Sequence, residues 1–435
     1  MLKKTNALLF AVACIGGCAG DLPSSGVPDG GTDTGADARR TSDSGLPLPD
    51  AGTRADSGHH DHDARPDSGP PARGYLVVVD GALRDSEGRA ARLTGVNWFG
   101  FETSNKAPHG LWSRDYKSML AQVRAVGFNS LRLPWSNAIL EPGAMPQSIS
   151  FAGTDAYNQT TPINKDLEGK TAIQVLDAII EEAGKLGLRV ILDNHSRKPD
   201  GYMNEALWYT QDFSEEKWIQ DWLVVAERYR GNPVVVAFDL DNEPHDEATW
   251  AEGEPTRDWR AAAERCGNAI LKVNPDALIV VEGVEEYKGK STWWGGNLAG
   301  ARSQPIRLTD PKKLVYSPHE YGPEVFAQSW FSSPDYPSNM KAIWDEHFGF
   351  IADSKLGHVL VGEFGIRDRD AHGGKAYTWF TEFMKYGGSR FSWTYWCWNP
   401  NSGDTGGILK DDWVSVNDWK VDVLKPHLAP LIPAN

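Results

Sequence analysis

From residue 75 onward, the chain alternates between short apolar runs and longer segments of helical period. Runs rich in β-branched and aromatic residues predict eight strands, over residues 92–98, 130–135, 189–195, 234–240, 278–283, 314–319, 358–363 and 391–396. Apolar residues at helical spacing predict helices between them, over residues 116–126, 172–186, 215–229, 259–273 and 375–386. Two further apolar runs flank Asp80-Gly81 within residues 75–92, and they predict a β-hairpin over the entrance of the domain.

Continuous apolar strands that alternate with helices indicate a parallel sheet covered by helices, in the α/β class. Eight such units predict a (β/α)8 TIM barrel with enlarged rim loops over residues 74–435. A doubly wound open sheet is the alternative. No glycine-rich phosphate-binding fingerprint follows the first predicted strand, and this favours the barrel.

The amino terminus has the pattern of an export signal. Two lysines precede an apolar run over residues 7–15, and the run ends in Ile15-Gly16-Gly17-Cys18. This predicts a signal peptide over residues 1–18, with an apolar part too short to span a bilayer. Its last four residues resemble a bacterial lipobox, which implies that Cys18 becomes the lipidated first residue of the mature protein. An ordinary signal peptide cut near Ala19 or Gly20 is the alternative.

Residues 19–73 consist mainly of Asp, Ser, Thr, Gly, Pro and Ala. Such a segment cannot bury enough apolar surface to offset its ordering entropy, so we predict a disordered tether. The HHDHD run at 59–63 is either a metal-binding tract or a solvated patch, and its surroundings favour the patch. In the globular part, Cys266 and Cys397 could form a disulfide, but the sequence does not show whether they are close in space.

Charge and composition narrow the class of ligand. The formal net charge of −15 argues against nucleic acid as a partner, because a phosphate backbone requires a clustered basic surface. Eighteen Trp residues exceed what a core of this size needs. A flat ring with a polar N–H suits stacking on a sugar face, although any single Trp is more often a core residue. The set as a whole predicts a polysaccharide-binding cleft.

Chemically active side chains are concentrated at the ends of the predicted strands. In a TIM barrel, the carboxyl ends of all strands meet at one rim, where active sites form. The residues at these ends are Asn97, Trp98, Arg132, Trp135, His195, Glu243, His319, Glu320, Tyr321, Glu363, Trp396, Cys397 and Trp398. A purely structural barrel has no need for this convergence, so we predict a catalytic rim.

Two carboxylates stand out at that rim, because each follows an apolar run directly. Glu243 lies at the end of VVVAFDLDNEPH (234–245), and Glu363 follows HVLVG (358–362). Glycosidic bonds are cleaved by such a pair, in which one carboxyl protonates the leaving oxygen and the other attacks the anomeric carbon or activates water. Glu282 also ends a strand and is the rival for either role.

The neighbouring residues fit this division of labour. Arg132 or the Tyr321 hydroxyl is expected to keep Glu363 ionised, although Arg132 is equally explained as an internal salt-bridge partner. Histidines and an amide can donate to sugar hydroxyls, and an indole can form the floor of a subsite; the candidates are His195, Asn242, His319 and Trp396. His195 is also explained as a core histidine. We assign Asp193 and Asp239 to structural hydrogen bonds, and Glu141 and Glu320 to loop charges.

A metal hydrolase is the competing chemistry. His195, His319 and a carboxylate could bind zinc in a barrel of this kind. The Trp-rich rim suits a sugar polymer better, so we expect neither a metal nor a cofactor.

The chain resembles glycoside hydrolase family 5, the retaining (β/α)8 cellulases of clan A, from about Tyr75 to Leu431. The resemblance rests on three motifs in order, Asn242-Glu243-Pro244, His319-Glu320-Tyr321 and Gly362-Glu363-Phe364-Gly365. Longer stretches are similar to the bacterial endo-β-1,4-glucanase subfamily typified by the Acidothermus endoglucanase: GVNWFGFET (95–103), LWYT (207–210), WWGGNL (293–298) and WNPNSGDTGGILKDDW (398–413).

The resemblance implies that Glu243 is the general acid/base and Glu363 the nucleophile. It places six residues around the −1 sugar, namely Arg132, His195, Asn242, His319, Tyr321 and Trp396. It also suggests Trp98 as a stacking platform toward the non-reducing side, and Trp208 and Trp293 as further platforms.

Taken together, these features predict an exported, monomeric, cofactor-independent endo-β-1,4-glucanase. It would act on β-1,4-glucan from the cell surface or outer membrane through the lipid on Cys18, or else be secreted. Alternatives are a mannanase, xyloglucanase or mixed-linkage glucanase on the same scaffold, and a surface glucan-binding protein without catalysis.

Overall fold

A computed structural model describes residues 71–433. The predicted signal peptide, Cys18, the HHDHD run and the predicted tether up to residue 70 lie outside the described residues. The domain boundary at residue 74 stays a prediction.

Eight parallel strands close into a barrel, as predicted. They are β1 (Thr94–Asn97), β2 (Ser130–Ser136), β3 (Arg189–Ser196), β4 (Val235–Asp239), β5 (Leu278–Glu282), β6 (Leu314–Ser317), β7 (His358–Val361) and β8 (Ser392–Tyr395). The ladder between β8 and β1 closes the ring, with Trp393 opposite Thr94. Every residue of these strands is buried, because side chains point either into the barrel or toward the helices. This explains why the strands have continuous apolar runs rather than an alternating pattern.

The five predicted helices are present with nearly the predicted ends. They span Tyr116–Val126, Ala172–Lys185, Glu215–Arg228, Trp259–Val273 and Lys375–Gly387. Asp115, Ser214 and Asp258 begin three of them, and each side chain accepts a hydrogen bond from a backbone N–H of the first turn. No helix within residues 71–433 has both the length and the apolar content of a membrane span.

Two helical segments escape the sequence pattern. One runs from Met340 to Asp353 and contains a π-helical stretch, Asp345–Gly349, and the other is the short helix Asp418–Leu424. The π-helical stretch changes the period within the first segment, and the second has only seven residues, so neither gives a clear 3.6-residue signal. Between β5 and β6 the described chain forms a small hairpin, Glu286–Tyr287 with Lys290–Ser291, and two single turns of 3-10 helix, Ala299–Arg302 and Pro311–Lys313.

The amino-terminal hairpin is present, but it does not lie at the entrance of the site. Val77–Val79 pairs with Ala82–Arg84 in antiparallel register, and Ala90–Ala91 adds a third short strand. Leu76 and Leu83 belong to an apolar cluster with residues from the lower parts of the barrel strands. The hairpin therefore covers the amino-terminal end of the barrel, opposite the rim, because apolar strand interiors at that end need a cover from water.

Candidate active site

Glu243 lies on the rim in an unusual backbone conformation. Beta strand β4 ends at Asp239, and the following turn brings Glu243 to a φ of 52°, a value that few non-glycine residues adopt. Its backbone N–H donates to Oε2 of Glu282 at 2.8 Å, which holds the turn. Its side chain is 20% exposed. This carboxyl is therefore accessible to a ligand in the cleft.

Glu363 follows β7 and is held on both oxygens. Nη1 of Arg132 donates to Oε1 at 2.7 Å, and the Tyr321 hydroxyl donates to Oε2 at 2.6 Å. Burial opposes the charged form, but the nearby charges of His319 and Arg132 outweigh it and lower the pKa of Glu363. Glu363 is therefore ionised at neutral pH.

His319 connects the two rim carboxylates. Its Nδ1 lies 2.9 Å from Oε1 of Glu243 and 3.7 Å from Oε2 of Glu363, and its Nε2 lies 3.1 Å from Oε1 of Glu282. Burial acts against its charge, but the three carboxylates raise the pKa of His319 well above its ordinary value. Gly362 makes room for the ring, since a Cβ there would lie 2.9 Å from Nε2.

The distance between the two rim carboxylates is short. One oxygen of Glu243, one oxygen of Glu363 and a ring nitrogen of His319 all lie within 4.8 Å of one another. The two carboxyl groups can therefore act on the same bond of a ligand.

Arg132 lies beneath this group and compensates its negative charge. It forms ion pairs with Asp193 (3.1 Å), Asp239 (2.9 Å), Glu282 (3.0 Å) and Glu363 (2.7 Å). These contacts raise the pKa of Arg132 even though burial works against its charge. Both interpretations of Arg132 thus hold, because it is an internal salt-bridge partner and also binds Glu363. The clustered acids already have a cation between them, which does not fit a metal centre.

His195 and Asn242 offer donors to a ligand. Nδ1 of His195 lies 2.6 Å from Oδ2 of Asp193, and this contact raises the pKa of His195 to about 9 although burial works against the charge. Its ring stacks on Trp396 with centroids 5.6 Å apart. Oδ1 of Asn242 accepts from Nη2 of Arg132 at 3.2 Å, so its –NH2 group is the part that can donate to a sugar.

The expectations for Trp98 and Trp208 are wrong. Both are completely buried, so neither presents a ring face to a ligand. Trp293 is 6% exposed, as His195 and Asn242 are, and its role as a platform stays a prediction. The indole N–H of Trp98 donates to the carbonyl of His109, and that of Trp208 donates to Glu215. Trp98 and Trp208 are core residues that support the rim from below, which is the more common role for any single Trp.

Two tryptophans outside the predicted platforms, Trp294 and Trp112, have partly exposed rings. Trp294 is half-buried and stacks on His245 at 3.8 Å, and Nδ1 of His245 lies 2.6 Å from the carbonyl oxygen of Glu243. Residues 293–296 form a bend and a turn rather than a strand, so no alternation in the sequence distinguished Trp294 from Trp293.

Trp112 is 38% exposed at the far end of an aromatic series. The series begins at Trp396, which stacks on Phe99 at 5.5 Å. It continues through His109, whose ring is 5.0 Å from Phe99 and 5.5 Å from Trp112. No pattern around Trp112 distinguishes it from a core residue, and only the packing of β1 and β8 loops brings it to this position.

Glu320, Glu282 and the two cysteines are all buried in the described part of the chain. Glu320 is not a loop charge, because it is 3% exposed and accepts indole N–H groups from Trp344 (3.0 Å) and Trp379 (3.2 Å). Glu282 is completely buried beneath Glu243 and cannot reach a ligand. Cys266 and Cys397 are both free thiols and form no disulfide.

Comparisons with known proteins agree with this geometry. Residues 87–402 match the family model for cellulase, glycosyl hydrolase family 5. The chain is 44% identical to an endoglucanase of Paenibacillus polymyxa over 83% of this chain and 88% of that protein. It is 42% identical to the major extracellular endoglucanase of Xanthomonas campestris pv. campestris over 82% and 71%.

Among solved structures, a hyperthermophilic endocellulase from the archaeon Pyrococcus horikoshii superposes with a TM-score of 0.75 at 40% identity, covering 82% of this chain and 99% of that one. Structures of that endocellulase include complexes with cellotetraose. With a closed barrel, a rim carboxylate pair and a family match over most of the described residues, the chain belongs to glycoside hydrolase family 5.

Proposed function

We propose that the protein is a retaining endo-β-1,4-glucanase, with Glu363 as nucleophile and Glu243 as general acid/base. The observation that carries the proposal is the approach of Glu243 and Glu363 oxygens to within 4.8 Å around His319. Retaining enzymes need carboxyl groups about 5–5.5 Å apart, and inverting enzymes need about 6.5–9.5 Å to admit a water molecule. The short separation supports double displacement.

In the first step, an ionised oxygen of Glu363 attacks the anomeric carbon, and the glycosidic C–O bond breaks. Glu243 gives its proton to the leaving oxygen, so the departing chain leaves as a neutral alcohol. Arg132 and Tyr321 orient Glu363 for this attack, since each binds one of its oxygens.

In the second step, Glu243 is a carboxylate and takes a proton from water. The resulting hydroxide attacks the anomeric carbon, the ester bond to Glu363 breaks, and the sugar is released with its original configuration. His319 can donate from Nδ1 to Glu243 and thereby orient it in both steps.

Donors around the pair suit the hydroxyl groups of a −1 glucose. Because Asp193 binds Nδ1 of His195, Nε2 is the nitrogen that can donate to a hydroxyl. Asn242 directly precedes Glu243 in the chain, and its –NH2 group is suited to bind the 2-hydroxyl of this sugar. A hydrogen bond to the 2-hydroxyl strengthens in the transition state and so assists catalysis. Trp396 supplies the ring face beneath the sugar.

Aromatic platforms on two sides of the pair support binding of an internal stretch of polymer. Trp294 adjoins the acid/base through His245 and suits a sugar of the leaving chain. Trp112 suits a sugar further along on the other side, beyond Trp396. The named relatives are endoglucanases, and cellotetraose binds the Pyrococcus endocellulase, which favours β-1,4-glucan over mannan or xylan as substrate.

Product analysis on carboxymethyl cellulose, mixed-linkage glucan, mannan and xylan tests the proposal. We expect a rapid fall in viscosity of carboxymethyl cellulose and release of cello-oligosaccharides. Preferential cleavage of mannan, xylan or mixed-linkage glucan would replace the substrate. Tight glucan binding without cleavage would support a surface-binding protein instead.

Trp112→Ala is expected to weaken binding of long substrates. Loss of one stacking contact of about 1.4 kcal/mol would raise KM for cellohexaose roughly tenfold with little change in kcat. Steady-state kinetics on cellohexaose and cellotriose check this, since a short chain that does not reach Trp112 is the internal control. Equal effects on both substrates would show that Trp112 supports the fold rather than a distant sugar.

Export and anchoring form a separate part of the proposal. The extracellular endoglucanase of Xanthomonas campestris supports export, and the lipobox-like Ile15-Gly16-Gly17-Cys18 favours attachment through a lipid on Cys18. Cys18→Ala is expected to move the protein from the membrane fraction to the soluble fraction. Cys14→Ala is the matched control, because it changes a cysteine of the same segment outside the lipobox. Membrane association that persists in Cys18→Ala would contradict the anchor.

A further inference from the structure

Glu282 is a buried carboxylate that contacts the catalytic machinery without access to the cleft. It is completely buried at the end of β5, and its Oε1 accepts from Nη2 of Arg132 at 3.0 Å. The same Oε1 lies 3.1 Å from Nε2 of His319, and Oε2 accepts the backbone N–H of Glu243 at 2.8 Å. One side chain therefore touches the backbone of the proposed acid/base and the imidazole that orients its carboxyl.

The hydrogen bond from the Glu243 N–H to Glu282 holds a strained turn in place. Glu243 has a φ of 52°, which costs a non-glycine residue free energy unless its surroundings enforce it. Oε2 of Glu282 enforces it through the hydrogen bond to the Glu243 N–H. The chain leaves space for this contact, because Gly295 has a φ of 66° and a Cβ there would lie 2.3 Å from Oε2 of Glu282.

The contact between Glu282 and His319 helps His319 to keep its second ring proton. The carboxylates that lie closest to the ring are Glu243 and Glu363 at Nδ1 and Glu282 at Nε2, and Asp239 adds negative charge from behind. Among these groups, Glu282 makes the largest contribution to the raised pKa of His319, against the effect of burial. A His319 ring that keeps protons on both nitrogens has Nδ1–H available to Glu243 in both catalytic steps.

We propose that Glu282 is a positioning residue for the acid/base: it holds the Glu243 backbone in its turn and keeps the Nδ1–H of His319 directed at the Glu243 carboxyl. The inference rests on the proposed function and extends it to the support of proton transfer. It makes a selective prediction. Steps that need proton transfer by Glu243 should depend on Glu282, and attack by Glu363 on a substrate with a good leaving group should depend on it much less.

The test is Glu282→Gln, which keeps the shape of the side chain and removes its charge. We expect kcat/KM for cellotetraose to fall about 10²-fold, the usual cost of a misplaced catalytic group. For 2,4-dinitrophenyl β-cellobioside, whose leaving group needs no proton, we expect kcat/KM to fall less than about fivefold.

The pH profile gives a second readout. Burial raises the pKa of Glu282 to about 8 against the nearby charge of His319, so the charge of Glu282 is present on the alkaline side of the profile. Without that charge, the pKa of His319 should fall toward its ordinary value, and His319 should lose its proton at a lower pH. The alkaline decline of kcat/KM for cellotetraose should therefore begin at a lower pH in the variant than in the wild type. A residue that only supports the fold would leave the position of this limb unchanged.

Glu320→Gln is the matched control. Glu320 is equally buried and adjoins His319 in the chain, but it is bound by indole N–H groups rather than by catalytic residues. Any loss of kcat/KM in this variant should be equal for the two substrates. Glu282→Asp serves if the glutamine variant does not fold, since it keeps the charge but shortens the reach, and it should show the same selectivity for leaving group.

The outcomes separate the inference from the proposed function. If the wild-type protein hydrolyses cellotetraose and Glu282→Gln loses activity on both substrates equally, the positioning role is overturned and the function stands. If the wild-type protein hydrolyses neither substrate, the proposed function itself fails. Selective loss of activity on cellotetraose, with an alkaline limb that begins at a lower pH, supports both.

Discussion

Glu363→Gln is expected to reduce hydrolysis of cello-oligosaccharides by at least about 10⁴-fold and to abolish the covalent intermediate. A neutral amide cannot attack the anomeric carbon. Glu282 lies beneath the site and is completely buried, so it cannot substitute. The fold should persist, because glutamine has the same shape and its carbonyl oxygen can still accept from Arg132 or Tyr321.

Mass spectrometry with a 2-deoxy-2-fluoro-cellobioside that carries a good leaving group measures this directly. The wild-type protein should gain the mass of one glycosyl group, located on the peptide that contains Glu363, and Glu363→Gln should gain none. Glu141→Gln changes an exposed loop carboxylate and is the control for substitution as such. A label on another residue, or turnover close to wild type with an unchanged melting temperature, would remove Glu363 from the mechanism.

Glu243→Ala is expected to separate the two halves of the reaction. Without its acid, cleavage of cellotetraose should fall about 10³-fold, within the range attributed to general acid–base catalysis. For 2,4-dinitrophenyl β-cellobioside the first step should be nearly normal, and the glycosyl-enzyme should accumulate because no base activates water. The exposed position of Glu243 leaves space for a small anion at the same place.

Azide is the diagnostic reagent for this variant. It should accelerate turnover of the aryl substrate and give the β-glycosyl azide, because Glu363 already occupies the opposite face of the sugar. The wild-type protein, in which a negative Glu243 would repel azide, is the control and should show no acceleration. Absence of rescue, or an α-configured azide, would contradict the assignment of Glu243 as acid/base and Glu363 as nucleophile.

Much of the fold followed from local pattern. Each barrel strand is buried on both faces, and this requirement produced the continuous apolar runs that predicted it. Helices such as Tyr116–Val126 and Trp259–Val273 have capping residues and one apolar face, so their ends were predictable to within a residue. The helical segment from Met340 to Asp353 was not predictable, because its π-helical stretch interrupts the period.

The placement of side chains was predictable only in part. Glu243 and Glu363 were identifiable because a barrel brings all strand ends to one rim, and a carboxylate after an apolar run has no structural reason to be there. The same argument selected Glu282, and the sequence could not separate it from the other two. Glu282 differs from the other two because it accepts a hydrogen bond from the Glu243 N–H and contacts His319. Both partners are about forty positions away from Glu282 in the chain.

The sequence by itself determined the barrel, the rim and three candidate carboxylates at its strand ends, because strand burial and residue type at strand ends are local properties. Only the tertiary structure decided which carboxylate is buried, and which rings face the cleft. Trp98 and Trp208 are closed in by neighbouring elements, whereas Trp112 and Trp294 are left open. The exposure of a ring depends on loops that are distant in sequence and adjacent in space, so no local pattern can encode it.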